Sequence, residues 1–398
     1  MNIKKYYLYQ LFHELMPIYP IYLLLFESRG LSLSQISLLL IVWSIPPILL
    51  EIPTGLLGDR FSRKYMIAMG GFLKASAYFI WIFADGFWTF AAGFILWGIS
   101  GAFRSGAEEA LVFDSLKLSG EEESFDKVLG RGRFFSGAGT IVASLIGGYI
   151  GSKFGFCTAL FVSVTTGLIS GFIGLSMKEV NLYKERINQQ KEDQQTDTLR
   201  EALRFLFGNY EILLFSLLAL LVLTTAGVLD EYDQLIAQKF GLSYTLIGAW
   251  AAIRFVLMAF GGYLAVGLRK VTEKLLRVKQ RIYVIGILSS LAAACLIVSG
   301  LVKQFGIMIL YGLFYLIIAA AEVLKEDYVQ QKIELEGRST VHSILSLSEN
   351  LYAIMFYGIF GLLLGRTDLF TGLVWCGVYI IIVILVLCGL YRWSYRKG

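Results

Sequence analysis

Apolar residues in this chain come in long runs, at about 6–26, 35–57, 65–84, 88–112, 132–152, 157–177, 210–232, 244–266, 282–301, 305–324, 340–363 and 369–391. A helix needs roughly 20 residues to cross about 30 Å of hydrocarbon, and each of the twelve runs is about that long. Lipid offers no partner to backbone N–H and C=O groups, so each run must satisfy its own hydrogen bonds. The runs lack the period-two alternation of a barrel strand, which leaves helices. With 57% hydrophobic and only 16% charged residues, the chain falls below the roughly 25% charge that covers a soluble domain. The expected fold is an all-α membrane protein with twelve transmembrane helices. The first run has no small-residue cleavage site and is too long for a removable leader, so it counts as a span.

The placement of charge orients the spans. With the N-terminus inside, 27 of the 35 Lys and Arg residues fall on inner segments, five on outer segments, and three (Lys74, Arg104 and Arg254) within spans. Positive residues favour the cytoplasmic side, which puts both termini in the cytoplasm and the chain in the cytoplasmic membrane. The longest polar stretch, 178–209, is charged and rich in Gln. It divides the spans six and six, giving an N-terminal bundle over 1–177, a cytoplasmic linker over 178–209 and a C-terminal bundle over 210–398.

An internal repeat supports that division. GLSLSQI at 30–36 recurs as GLSYTLI at 241–247, and GRGRFFS at 130–136 as GRSTVHS at 337–343. Glu109 with Asp114 is echoed by Glu322 with Asp327. The matches keep their order at nearly one offset, as a duplicated six-span unit requires. Parallel halves of this kind put a substrate site at mid-depth between them.

Charge gathers unexpectedly in EIPTGLLGDRFSRKYMI, residues 51–67, the inner turn between the second and third spans. Topology accounts for its cations but not for Asp59 or the glycines before it. Gly55-x-Leu57-x-Asp59-Arg60-x-Ser62-Arg63-Lys64 resembles the loop signature of the major facilitator superfamily, with Ser62 where the family carries a second glycine. Twelve spans in two halves extend the resemblance over the whole chain, and HELMPIYPIY at 13–22 is similar to the Pro-x-x-Pro stretch of drug-exporting branches. The fifth span, however, reads ASLIGG at 143–148, without the Gly-Pro pair of antiporter branches. SGAEEALVFDSLK at 105–117 resembles other bacterial members. The resemblance implies two pseudo-symmetric six-helix bundles and a conformational latch built on Gly55, Asp59, Arg60, Arg63 and Lys64, completed by Arg104 and Glu109. A helix N-terminus carries about half a positive charge, so a carboxylate such as Asp59 facing one is favoured.

Ionisable groups within spans mark the candidate site, because each costs about 2.5–3.5 kcal/mol at the bilayer centre unless it faces the bundle interior or water. The deepest are Glu14, Arg254 and Glu349, with Asp230, Glu231 and Asp233 toward the outer end of the seventh span. Pro17 and Pro20 follow Glu14 and free a carbonyl where the helix can bend around a cavity. Tyr22 shares a helical face with Glu14, and Tyr311 shares one with Tyr315; aromatics beside acids suit a flat, cationic or amphipathic guest. Glu14 and Glu349 lead as proton carriers, and Arg254 either binds an acidic group or neutralises an acid of the seventh or eleventh span.

These features predict a monomeric secondary transporter whose partners are a small molecule, protons and the lipid bilayer. The first reading is proton-coupled export of lipophilic or cationic compounds; the alternative is uptake or flipping of an anionic metabolite or lipid. A non-transporting sensor ranks last, for want of a large appended domain. No nucleophile–base pair, phosphate loop or metal-ligand spacing appears, so an enzyme, a cofactor, a metal and a nucleic-acid partner are not expected. The four cysteines all fall inside spans and read as small core residues.

Overall fold

The computed structural model describes residues 2–60, 62–182, 208, 210–278, 280–332 and 338–395, with the side chains of 51–53, 55–60, 330, 338–343 and 395 left aside. The described residues are almost wholly helical and hold no strand. In chain order the helices are α1 Asn2–Glu14, α2 Tyr22–Ser28, α3 Leu33–Arg60, α4 Arg63–Ile82, α5 Phe87–Leu118, α6 Phe125–Ser176, α7 Tyr210–Leu218, α8 Thr224–Lys239, α9 Tyr244–Leu276, α10 Arg281–Val302, α11 Met308–Lys332, α12 Arg338–Leu364 and α13 Leu369–Tyr395. Nine helical segments among the described residues are long and apolar enough to cross a membrane. One of them runs 55 residues and breaks at Gly155, whose φ of +80° and ψ of 170° are open to glycine almost alone.

The chain forms two compact units, Met1–Gln190 with Leu242–Ala252, and Lys191–Gly241 with Ile253–Gly398. In the first unit α4 packs on α5 and α6, α1 on α6, and α3 on α5. In the second, α10 packs on α11 and α13. Most of the stretch expected to act as a linker, including 183–207, lies outside the described residues.

The repeated GLS motif has the same physical meaning at both places. Gly30 (φ +84°) ends α2 and Gly241 (φ +91°) ends α8, each with its N–H bonded back to the closing helix. A left-handed glycine stops a helix at little steric expense. The next helix then starts within three residues, at Leu33 and Tyr244. Of the GRGRFFS repeat, the second copy lies largely outside the described side chains.

The first span is broken as its prolines require. Between α1 and α2 the chain passes through a short turn at Tyr19–Ile21, and Ser163 Oγ accepts the Ile18 N–H at 3.1 Å. Such a side-chain partner is what allows irregular backbone at membrane depth. Helix α6 comes close enough to provide it because small residues line its inner face. A Cβ at Gly139 would lie 2.5 Å from Leu11 O, and one at Gly147 would land on Pro17 O. Association between helices in lipid rests on such close approach.

At the turn before α13, Thr371 N–H donates to Asp368 Oδ1 at 2.7 Å and Lys303 Nζ lies 3.2 Å from Oδ2. The bonds from Thr371, with Lys303 behind them, hold the Asp368 carboxyl below its usual range. Its contribution to folding is therefore present above the ordinary carboxylate pKa of about 4 and is lost as pH falls through the depressed value.

Two variants test the packing. Gly147→Ala should destabilise the purified protein by about 1–3 kcal/mol, because the new methyl has nowhere to go but into the first span. Gly389→Ala, where a Cβ meets nothing within 4 Å, should be neutral or slightly stabilising. Thermal unfolding in detergent reads both; equal midpoints for the two would contradict the described contact.

Candidate functional site

The break in the first span leaves Glu14 at the end of α1 and Tyr19 just beyond it, both facing a cavity of about 260 Å³ within the first unit. Helix α4 contributes Lys74, α3 contributes Trp43 and Pro47, and α5 contributes Trp97, Gly98 and Arg104. Glu14 Oε1 lies 3.7 Å from Lys74 Nζ and 3.6 Å from Arg104 Nη1, while Tyr19 OH donates to Oε2 at 3.1 Å. Lys74 also donates to His13 O at 2.9 Å and sits over the Tyr19 ring at 5.1 Å. Arg104 has a second acid, Glu108, one turn on at 4.0 Å, and Gln10 donates to Glu108 at 2.9 Å. Two cations and two carboxylates thus form one network across three helices.

Aromatic rings close the same cavity. Tyr19 stacks on Trp97 at 5.5 Å, and Trp43 lies 5.7 Å from Trp97. Tyr22 packs behind them, edge-on to Trp97 and Phe94 and stacked on Trp81. It supports the wall through its neighbours, and the residue that bonds Glu14 is Tyr19. The imidazole of His13 stacks on Tyr9 at 5.2 Å and is 2% exposed.

A second ionic cluster lies in the second unit. Arg254 on α9 contacts Asp230 and reaches Asp233 Oδ2 at 3.3 Å, both on α8. Tyr315 OH donates to Asp233 Oδ1 at 3.3 Å and is 3.0 Å from Tyr311 OH, and Arg254 lies 5.1 Å from the Tyr315 ring centre. Glu231, between the two aspartates in sequence, is half-buried and a third of a turn away on the helix. Of the residues expected to line the site, Asp230, Arg254, Tyr311 and Tyr315 therefore meet in one cluster. Glu349 stands elsewhere in the unit, 3.2 Å from Lys325 Nζ, beside a cavity of about 390 Å³.

Elsewhere in the first unit, Arg63 opens α4 and its guanidinium meets Asp114 at 2.6 Å and Ala110 O at 3.1 Å. Asp114 also accepts Leu182 N–H at 2.9 Å. Glu179 receives the backbone N–H groups of Arg63 at 3.0 Å and Lys64 at 3.1 Å, together with the Ser62 hydroxyl. A carboxylate is favoured there by the orphan donors and the dipole of a helix N-terminus. The side chains of Gly55, Asp59 and Arg60, the rest of the expected latch, lie outside those described. Arg104 is turned to Glu14 and Glu108, and Glu109 is exposed.

The second unit repeats the arrangement. Arg281 opens α10 and lies 3.0 Å from Asp327, which Arg269 also approaches at 3.9 Å. Asp114 and Asp327 are the acids paired by the sequence repeat, and each takes the first residue of the helix before its own.

Lys74, Trp43, Trp97, Glu179 and Lys325 were not anticipated as parts of these networks, whereas Glu108 was expected beside Arg104. Lys74 carried a usable signal, a lone cation inside an apolar run. The others signal nothing until the partner helix is in place.

The family model of the Major Facilitator Superfamily matches residues 10–356. An uncharacterised MFS-type transporter of Bacillus subtilis (strain 168), YxaM, is 23% identical over 253 residues, which are 64% of this chain and 61% of that protein's length. Among solved structures, a bacterial homologue of the human lysosomal transporter Spinster superposes with a TM-score of 0.73 at 16% identity, over 99% of this chain and 96% of the other. The nucleoside transporter NupG gives 0.75 at 14% over 98% and 100%, and a D-xylose–proton symporter 0.70 at 13% over 97% and 96%. At these identities the superpositions speak for the fold alone.

The Arg63–Asp114 pair generates a stability prediction, since both side chains are almost fully buried. Asp114→Ala leaves a buried guanidinium without its counter-charge and should lower stability by about 3–5 kcal/mol, whereas Arg63→Met with Asp114→Leu should recover much of that loss. Unfolding in detergent, read by denaturant or heat, distinguishes them; a double variant as unstable as the single one would remove the pair from this role.

Proposed function

The chain belongs to the Major Facilitator Superfamily, and from that premise we propose that it is a secondary active transporter of the bacterial cytoplasmic membrane. It works by alternating access and exchanges protons for lipophilic or cationic small molecules moving outward. Twelve spans with both termini inside are part of this reading. The 55-residue segment broken at Gly155 supplies two, and the interrupted first span and Phe87–Leu118 complete the nine apolar segments.

The observation that carries the proposal is the position of Glu14 between Lys74 and Arg104 at an aromatic-walled cavity. Ionised, Glu14 balances cations at 3.6 and 3.7 Å. Protonated, it leaves Lys74 with less counter-charge in a medium where unit charges interact far more strongly than in water. Loading the proton makes the chamber one charge more positive, which opposes a cationic cargo. Mutual exclusion of proton and cargo is the electrostatic requirement for exchange.

The same geometry favours a second reading. A protonated Glu14 frees Lys74 and Arg104 to hold an acidic group, so an anionic metabolite would travel together with the proton. Arg254, the other candidate anchor for an anion, already faces Asp230 and Asp233, which supports the first reading over this one.

Flux in proteoliposomes under an imposed pH gradient tests both. Lipophilic cations should accumulate against their own gradient with the parent chain, and Glu14→Gln should lose at least about tenfold of the gradient-driven flux, equal to about 1.4 kcal/mol of coupling, while keeping downhill exchange. If dissipating the gradient leaves accumulation unchanged, proton coupling is refuted. Organic anions moving with protons, while cations do not move, would select the second reading.

A further inference from the structure

The larger cavity, of about 390 Å³, lies wholly within the second unit, among α7, the inner end of α11 and the first half of α12. Its volume falls in the range of small-molecule sites, about 300–1,000 Å³. Its walls are apolar, with Leu213, Leu217, Leu220, Val329 and Ile344, and its lining bears three charged residues: Lys325, Glu326 and Glu349. Two carboxylates therefore face one ammonium among the described lining residues, and the cavity carries a net negative charge. This is the opposite of the Glu14 cavity, where the lining holds Lys74 and Arg104 against one carboxylate.

The backbone beside this cavity departs from an α-helix. Ala219–Leu223 forms a π-helical turn between α7 and α8, and Ala219 and Leu220 lie on the cavity wall. Widened turns of this kind are uncommon and concentrate at functional sites. Here the turn is tied to its neighbours: Leu221 O accepts from Thr225 Oγ1 at 2.8 Å and lies 3.2 Å from Tyr352 OH, which is 2.8 Å from both Thr225 Oγ1 and Tyr379 OH. These hydroxyls link the widened turn to Tyr352 of α12 and Tyr379 of α13.

From the charge, the apolar lining and the widened turn we infer that this cavity is a binding site for a lipophilic monocation, with Glu349 as its counter-charge and Lys325 as a resident cation that the ligand displaces. Glu349 is 37% exposed and meets Lys325 at 3.2 Å from the side of α11. A long, flexible ammonium can swing toward water when another cation takes its place, since the lysine stem bends where a guanidinium fork would not. The ligand's apolar body lies against the leucines of α7. This rests on the transport reading for its purpose but not for its existence, because binding is measurable without flux.

The test uses the full chain in nanodiscs and a matched pair of probes, hexyltrimethylammonium and heptanoate, followed by titration calorimetry. The quaternary head carries its charge at any pH, so protonation does not confound it. The parent should bind the ammonium and not the acid. Glu349→Gln should weaken the ammonium at least about tenfold, Glu349→Asp should keep it within about threefold, and Lys325→Met should tighten it several-fold by removing the competitor. Ala219→Phe, which fills the cavity without touching a charge, should abolish binding. Should Glu349→Gln fail to run as a single species on size exclusion, Lys325→Met and Ala219→Phe decide. Binding indifferent to Ala219→Phe, weakened by Lys325→Met, or stronger for heptanoate than for the ammonium overturns the assignment. A parent chain that binds no hexyltrimethylammonium while its proton-driven flux is intact sinks the site alone, and intact binding with flux indifferent to the pH gradient sinks the coupling mechanism alone.

Discussion

An ionised side chain in a low-dielectric interior must be answered by an opposite charge or by water, and the rest of this molecule is arranged around that demand. Glu14 is answered by Lys74, Arg104 and the Tyr19 hydroxyl, Arg254 by two aspartates, and Glu349 by Lys325. Apart from Tyr19, which follows Glu14 in the same broken segment, each answer comes from a helix other than that of the charge it meets and so fixes a helix–helix relation as well as a charge. The glycines of α6 serve the same end. By letting the first span approach closely they bring Glu14 to where Lys74 can reach it.

Two ion pairs show how a duplicated sequence becomes a duplicated device. Arg63 with Asp114 and Arg281 with Asp327 tie the first residue of one helix to the C-terminal part of the next. The two copies have diverged in their second partners. Asp114 takes the strap after α6 through Leu182, and Asp327 takes Arg269. Glu179 accepts the first backbone N–H groups of α4 in the first unit. Its grip on the start of α4 makes the beginning of the presumed linker a structural part of the first unit.

The two cavities differ in character, and the difference follows from one charge on each lining. The first unit has two cations against one lining acid and rings of Trp43, Trp97 and Tyr19; the second has two acids against one cation and aliphatic walls. A transporter that exchanges a proton for a cation has use for both, one where protonation changes the balance and one where a carboxylate can be shared between a lysine and a guest. That division of labour is our proposal for how the charges earmarked by the sequence are used.

Most of the helical fold was legible from the order of residues alone, because the length of apolar runs and proline or glycine punctuation are local consequences of lipid and backbone chemistry. Runs of about 20 apolar residues must be helices; Gly30 and Gly241 stop helices; Pro17 and Pro20 break one. The identity of the deep charges was legible for the same reason, since their expense depends on position along a span. Which charges meet was not. Arg104 was assigned to the inner latch and is turned to Glu14; Tyr22 shares a helical face with Glu14, yet Tyr19 makes the bond once the prolines rotate the chain; Trp43, Glu179 and Lys325 act only through partners 50 or more residues away or on a separate helix. Pairing in a bundle depends on helix rotation and approach, which small residues and packed rings set in three dimensions, and no one-dimensional pattern records it.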